Sequence, residues 1–407
     1  MQAAKTRTLW RDVDFLKLWI GQAISEMGSR ITRDGLPITA ALTLGATPFQ
    51  MGILASLNAV AITVFGLPVG VWVDRVRRRP VMIAADLGRA LLLITIPIAA
   101  WKGSLSLVHL YVVALLTGIL TVCFDVAYQT YVPSLVDREN ILEANSKLAI
   151  TAATAEIAGP ATTGILIQTI TAPFAIVLDA ASFLWSALSV WLVRKPEPQP
   201  APPETSHLRT EILAGLHTIW NNRALRALAG RGVTMWLFFG FYATLYVIFA
   251  LRELRMTPAL LGVVVAMGGI GNMAGALLAE PVSRRFGLRL AFLSTSLLTA
   301  VTATLIPLSP GNPWGGALFL GAAQVLGDCV MVIFMTNELS FRQQVTPEER
   351  LGRVNAAMQI LSRGMIPLGA LTGGVIAGWI GLRGAMGIAA AGVWLSNLWL
   401  LGLPRED

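Results

Sequence analysis

The residues best suited to chemistry are charges set inside apolar sequence. Between residues 15 and 44, Gln22, Glu26, Arg30, Arg33 and Asp34 recur at i, i+4 and i+8 spacing, which places them along one face of a helix. Similar stripes run through 105–131 (Asp125, Tyr128, Gln129) and 314–342 (Gln324, Asp328, Met331, Met335, Glu338). Glu156 stands alone in 146–170, and Arg363 interrupts 354–378. An ionisable group at the centre of a bilayer costs at least about 2.5–3.5 kcal/mol unless it is paired or watered, so these stripes are expected to face an aqueous cavity. The chemistry open to them is proton exchange. Glu26, Asp34, Asp125, Glu156 and Asp328 are the candidate proton sites, with Arg30 tuning them. Glu26 to Arg30 and Arg30 to Asp34 are each four residues apart, so simple pairing within the helix is an equal alternative.

A second set could touch a transported molecule: Arg33, Gln129, Trp236, Tyr242, Gln324, Met331 and Arg363. Trp236, Phe238, Phe239, Tyr242 and Tyr246 crowd one segment and would either stack on a planar substrate or serve as ordinary packing. The arginines suit an anion and the acidic stripes a cation, and the sequence does not choose between them. Asp86 and Arg89, three apart, read as a structural pair. Asp179, near one end of its segment, reads equally well as solvated.

The elements that must position these residues are membrane helices. Of 407 residues, 55% are hydrophobic and 13% charged, which excludes an ordinary soluble fold. Twelve apolar stretches are long enough to cross a hydrocarbon core of about 30 Å. They lie near 15–44, 50–73, 80–101, 105–131, 146–170 and 172–193, then 228–251, 258–281, 288–308, 314–342, 354–378 and 381–403. The expected fold is all-α, twelve transmembrane helices in two six-helix bundles, 15–193 and 228–403, flanked by termini 1–14 and 404–407. The first helix has no signal-peptide cleavage pattern and is expected to stay. Between the bundles, 194–227 begins VRKPEPQPAPPETSH, which cannot continue a helix. It ends in an amphipathic run (Leu208, Ile212, Gly215, Leu216, Ile219, Trp220) expected to lie on the membrane face as a tether.

Alternate loops carry 23 Lys and Arg on one side against 4 on the other. By the positive-inside rule both termini are cytoplasmic, and the net charge of +8 then requires no nucleic acid. A constant offset of 210 residues pairs Gly52 with Gly262, Arg75 with Arg285, Arg79 with Arg289, Asn145 with Asn355 and Gly164 with Gly374. Such a duplication into parallel six-helix halves is a transporter architecture. Enzyme chemistry has little support. There is no G-x-x-x-x-G-K-[ST] and no H-E-x-x-H, and His109, His207 and His217 lack ligand-spaced partners. Cys123 and Cys329 sit inside spans, as packing residues. No cofactor or metal is expected. The expected partners are a small-molecule substrate, protons and lipids, around a monomer.

The loop GVWVDRVRRRP, with Gly70, Asp74, Arg75, Arg78 and Arg79, resembles the G-x-x-x-D-R-x-x-R-R signature of the major facilitator superfamily. That resemblance implies a gating latch in which Gly70 permits close helix contact and Asp74 bonds a helix N-terminus near Arg353 and Asn355. Topology determination by the arginines is the competing role. The second-half counterpart EPVSRRFGLR has Ser283 in place of the acid. AEIAGPATTG, with Gly159 and Pro160, resembles the Gly-Pro motif of that superfamily's drug and proton antiporters, although the fourth span carries Asp125 where many of them place an arginine. ISEMGS, FDVAYQTYVPSLV, ANSKL and ERLGRVNAA resemble the bacterial branch that contains enterobactin exporters and macrolide efflux proteins. The resemblance implies proton-coupled export of small amphipathic molecules (drugs, macrolides or siderophores) across a bacterial inner membrane by alternating access. Uptake or facilitated diffusion is the first alternative, and a receptor or lipid-handling role the second.

Overall fold

A computed structural model describes residues 9–197 and 208–403, and among these every regular element is helical. In chain order they are α1 (Val13–Ile38), α2 (Pro48–Val73), α3 (Arg78–Trp101), α4 (Leu107–Leu135), α5 (Ile141–Ile170), α6 (Ala172–Trp191), α7 (Leu208–Asn221), α8 (Arg223–Ile248), α9 (Pro258–Phe286), α10 (Leu288–Thr304), α11 (Pro313–Gln344), α12 (Leu351–Arg363) and α13 (Met365–Ser396).

Among the described residues, nine helical stretches are long and apolar enough to cross a membrane. One of them, 348–402, is far longer than a crossing needs. It breaks at Gly364, between α12 and α13, and again at Gly381, whose φ of 81° is outside the helical range. That stretch is therefore two crossings. Adding α1, whose charges lower its hydropathy, and α10, which is only 17 residues long, restores the twelve expected from the sequence.

Starts and stops follow local chemistry. The Asp12 carboxylate caps α1, accepting from the amides of Asp14 and Phe15 at 3.0 and 3.1 Å. Asn222 caps α8 in the same way at 2.9 and 3.2 Å, so that helix begins five residues earlier than the apolar pattern suggests. Each cap satisfies amides that have no partner inside the helix.

The 210-residue offset is written in the backbone as well as in the sequence. α1 ends in a π-helical turn at Thr39–Thr43 and α8 in one at Phe249–Glu253. Gly45 (φ 64°) corresponds to Arg255 (φ 56°), and Thr171 (φ 65°) to Gly381 (φ 81°). Short 3-10 turns at Arg138–Asn140 and Glu348–Arg350 correspond likewise. Irregular features at one shared offset are not dictated by apolar composition, so they mark a true structural repeat.

The chain divides into two compact units, residues 1–44 with 60–204, and 45–59 with 205–407. In the first, α6 packs on α1 and α3, α3 on α4, and α5 on α1. Its core gathers Phe15, Leu18, Met82, Phe124, Tyr131 and Leu135. In the second, α13 packs on α8, and α11 on α9 and α10. The α8–α13 contact depends on small residues: a Cβ on Gly240 would lie 2.7 Å from the Ala370 amide nitrogen, closer than real side chains come. Residues 45–59, which the sequence assigned to the first bundle, cluster with the second. Ser56 Oγ donates to the Pro367 carbonyl at 3.0 Å, and Gly374 lies against Pro48 and Phe49. The linker helix α7 belongs to the second unit. It docks on α12, with Ile219 buried beside Val354 and with Gly215 against Ala357, while Trp220 is 72% exposed. The side chains of Leu208 and Ile212 lie outside the described residues.

Candidate functional site

Within the first unit, α1, α3 and α4 enclose a cavity of about 260 Å³ lined by Gln22, Ser25, Glu26, Ser29, Arg30, Arg33, Arg89, Thr121, Phe124 and Asp125. The stripe on α1 supplies one wall, as its spacing requires. Glu26 and Asp125 line this space, and among the described residues neither makes an ion pair or a hydrogen bond.

The arginines are held, but not as i, i+4 pairing within α1 predicts. Arg30 and Arg33 both reach across to Glu156 of α5: Arg30 pairs with one carboxylate oxygen, and Arg33 Nη2 lies 3.1 Å from the other. The clamp forms because Gly159 lets α5 approach: a Cβ there would lie 2.8 Å from Arg30 Cβ. Gly159 and Pro160 are both buried, and the glycine makes room for an ion pair. Asp34 stays out of the clamp, and its buried Oδ2 has no hydrogen-bond partner.

Behind the cavity, Asp86 pairs with Arg89, as their spacing suggested, and both are almost wholly buried. The Arg89 guanidinium lies 4.6 Å from the Phe124 ring centre and 4.0 Å from that of Phe183, a favourable cation–π geometry. Asp179, for which the sequence leaves plain solvation open as one reading, is 0% exposed. Ser182 Oγ donates to its Oδ1 at 3.0 Å, and its Oδ2 has no partner.

In the second unit, α8, α11 and α12 line a cavity of about 330 Å³ that includes Arg231, Trp236, Met331, Phe334, Met335, Glu338, Arg342 and Arg363. The offset maps Gln22, Ser25 and Glu26 onto Gly232, Met235 and Trp236, and Thr121, Phe124 and Asp125 onto Met331, Phe334 and Met335. The two pockets are thus the same place in each repeat, with Trp236 and Met335 in the second where the first has the acids Glu26 and Asp125. Other proposed contacts sit elsewhere. Tyr242 Oη donates to the Ala303 carbonyl at 3.3 Å, a packing role. Gln324 and Asp328 face Gly268 of α9, and Gln129 is exposed on α4. Arg231, one of the 23 charges assigned to the cytoplasmic side although it stands at the start of the 228–251 span, is buried to 2% exposure.

In the loop after α2, Glu197 accepts from the Arg78 and Arg79 amides at 2.6 and 3.2 Å. Arg79 also donates to the Val190 carbonyl at 3.1 Å and to that of Trp191. Asp74 and Arg75 are exposed. A Cβ on Gly70 would meet nothing within 4 Å, so no close contact requires a glycine there in this structure. Ser283, in the second-half counterpart, bonds Asn337 of α11. Among the described residues no group of three or more His, Cys, Asp or Glu could hold a metal ion.

Comparison with known proteins agrees with this architecture. The chain is 26% identical over 370 residues to the multidrug efflux pump Tap of Mycolicibacterium fortuitum, covering 87% of each. It is 22% identical over 377 residues to macrolide efflux protein A of Streptococcus pyogenes, covering 92% of this chain and 91% of that protein. In fold it matches the crystal structure of the nucleoside transporter NupG with a TM-score of 0.77 at 13% identity, over 97% of this chain and 100% of that one. A Major Facilitator Superfamily model matches residues 18–366. The protein is a multi-pass membrane transporter, and it belongs to the Major Facilitator Superfamily.

Proposed function

We propose that the protein exports small amphipathic molecules across a bacterial inner membrane in exchange for protons, by alternating access, with both termini in the cytoplasm. The observation that carries this reading is the pair of acids, Glu26 and Asp125, lining the first-unit cavity without an ion-pair partner, while Glu156 and Asp86 are committed to arginines. A carboxylate already locked to a guanidinium gives up its proton sites to that pair. One that faces a cavity can load and release a proton as substrate comes and goes. Arg30, Arg33 and Arg89, held by their own partners, set the field in which that exchange occurs. Asp34 and Asp328 are the secondary candidates. The second-unit cavity, with Trp236, Met331 and Arg363, offers the apolar surface an amphipathic cargo needs.

The direction of transport is supported by the efflux relatives named above, and the bacterial membrane by their sources. The likeness to a nucleoside transporter keeps uptake as the alternative. The loop around Arg78 and Arg79 acts as a gate element, and its arginines also favour anionic headgroups on the cytoplasmic side. No cofactor is required beyond the proton gradient.

The test is accumulation of a panel of lipophilic dyes, macrolides and catecholate siderophores in cells expressing the wild type, Glu26→Gln, Asp125→Asn or the double variant. The wild type lowers accumulation of at least one compound, a protonophore abolishes the effect, and the double variant loses it. Raised accumulation in expressing cells supports uptake instead. Protonophore-sensitive export that survives the double variant removes these two acids from the mechanism.

A further inference from the structure

We propose that the cavity among α8, α11 and α12 is an anion site: it takes the carboxylate or phosphate of an amphipathic molecule whose apolar body rests on Trp236, Met331, Phe334 and Met335. The central observation is Arg231. Its side chain is buried, yet only part of its guanidinium is satisfied: Nε donates to Ser296 Oγ at 2.8 Å, Nη1 lies 3.2 Å from Met235 Sδ, and Nη2 has no partner. The group stacks on Phe334 with its carbon 3.6 Å from the ring centre, which fixes its plane. A fixed, desolvated fork with an unused donor is well suited to bind an anion.

Two further arginines line the same cavity. Arg342 Nη1 lies 3.2 Å from Glu338 Oε1, and its Nε is buried without a partner. Arg363, exposed at the break after α12, lies 5.7 Å from the centre of the Trp236 ring. Against these three positive charges the cavity has one acid, Glu338, already engaged by Arg342. A cation entering here would meet an excess of like charge, whereas an anion would meet the exposed Arg363 guanidinium, with the unpartnered Arg231 Nη2 and Arg342 Nε buried in the cavity wall. Asn355 adds a carboxamide whose oxygen is unpartnered. Its two ends are interchangeable in space, so it can donate or accept.

The position in the fold matches the ligand class. The lining residues lie between the second turn and the middle of α8, along α12 from Asn355 to its last residue Arg363, and in the second half of α11, so the cavity reaches inward from one end of α8 and α11. That end is the one that the charge distribution assigns to the cytoplasmic side. An amphiphile approaching from that side would leave its charged end at the arginines and its apolar end against the Met and aromatic wall. The repeat sharpens the contrast, because the equivalent first-unit pocket has Glu26 and Asp125 where this one has Trp236 and Met335. Proton exchange would thus be served in one repeat and cargo charge in the other. That the occupant is cargo rests on the export reading above. That an anion binds does not.

The test is direct binding of 11-(dansylamino)undecanoate, followed by its fluorescence, to the full-length protein in phosphatidylcholine nanodiscs, with the methyl ester as the neutral control. The carboxylate binds at least about tenfold tighter than the ester, and Arg363→Gln lowers its affinity about tenfold while leaving the ester unchanged, the size expected from one charge-assisted contact. Arg231→Gln does the same where it folds, and the exposed Arg363 keeps the test decisive if it does not. Equal binding of acid and ester, or an unchanged affinity in Arg363→Gln, overturns the proposal. Adding phosphatidylglycerol to the nanodisc identifies the source: competition assigns the site to a lipid headgroup and indifference to soluble cargo, with the anion site standing in both cases. Charge-selective binding without energised export would remove the export reading alone, and export with charge-blind binding would remove this site alone.

Discussion

Gly159→Ala tests whether the α5 motif exists to seat an ion pair. The new Cβ would sit 2.5 Å from Arg30 Cγ and 2.8 Å from Arg30 Cβ, against ordinary contacts of roughly 3.5–4.0 Å. Either the α1–α5 distance grows by about 1–1.5 Å to restore an ordinary contact, or the Arg30 side chain turns away and loses Glu156. Overpacking of this kind costs about 1–3 kcal/mol. Glu156→Gln alone leaves Arg30, which is mostly buried, without its counter-charge. The Arg33 contact adds little, because Arg33 is half exposed and screened. We expect about 2 kcal/mol from each change, which for a unit of about 200 residues is a fall in melting temperature of roughly 4–8 °C. The assay is thermal unfolding followed by a thiol-reactive fluorophore, since Cys123 and Cys329 are both free and partly buried. If Gly159 serves the clamp, the double variant Gly159→Ala/Glu156→Gln loses clearly less than the sum of the two single changes. Strict additivity, or a Gly159→Ala protein that melts with the wild type, would refute the assignment.

Further outcomes follow from other sites. Asp86→Asn strands the buried Arg89 and should cost about 3–5 kcal/mol, whereas Asp86→Leu with Arg89→Met recovers most of that loss, read by the same melt. Thr171 has φ 65° and ψ 157° and is exposed at the turn into α6, a region of backbone space essentially reserved for glycine. Thr171→Gly should therefore stabilise the protein by about 1 kcal/mol or more, and Gly381→Thr, at the equivalent turn, should destabilise it. Burial raises the Asp14 carboxyl, but the Lys17 ammonium and the amides of Arg194 and Lys195 outweigh it and hold it below the usual carboxylate range. Because the folded value is the lower one, this stabilisation is complete above the unfolded value and is lost as pH falls through the folded one. Asp14→Asn should thus flatten the acid-side decline of melting temperature below about pH 4 and alter nothing pH-dependent above it.

Much of the architecture was legible because lipid imposes simple rules. Apolar length locates the spans, and the i, i+4 stripe on α1 correctly brings Glu26, Arg30 and Arg33 to a cavity wall. Partner choice was not legible. Arg30 could meet Glu26 or Asp34 within its own helix, and its actual partner depends on how closely α5 approaches, which Gly159 decides from 129 residues away. Arg231 read as a cytoplasmic-side charge because it stands close to a polar linker. Its burial is created by Ser296 and Phe334, which arrive from α10 and α11. Asp179 carried a signal that could have been used: Asp179, Ser182, Ser186 and Ser189 form a small polar stripe at helical spacing, the mark of an inward face in an otherwise apolar helix.

The central claim is exchange of cargo for protons, and reconstitution tests it most directly. Purified protein in proteoliposomes, given an outward-directed proton gradient and a compound selected in the cell assay, should accumulate the compound inside while a lumenal pH dye records proton efflux that depends on it. Glu26→Gln/Asp125→Asn should abolish both signals together. Accumulation with no accompanying proton movement, or proton-coupled transport left intact in the double variant, would contradict the account.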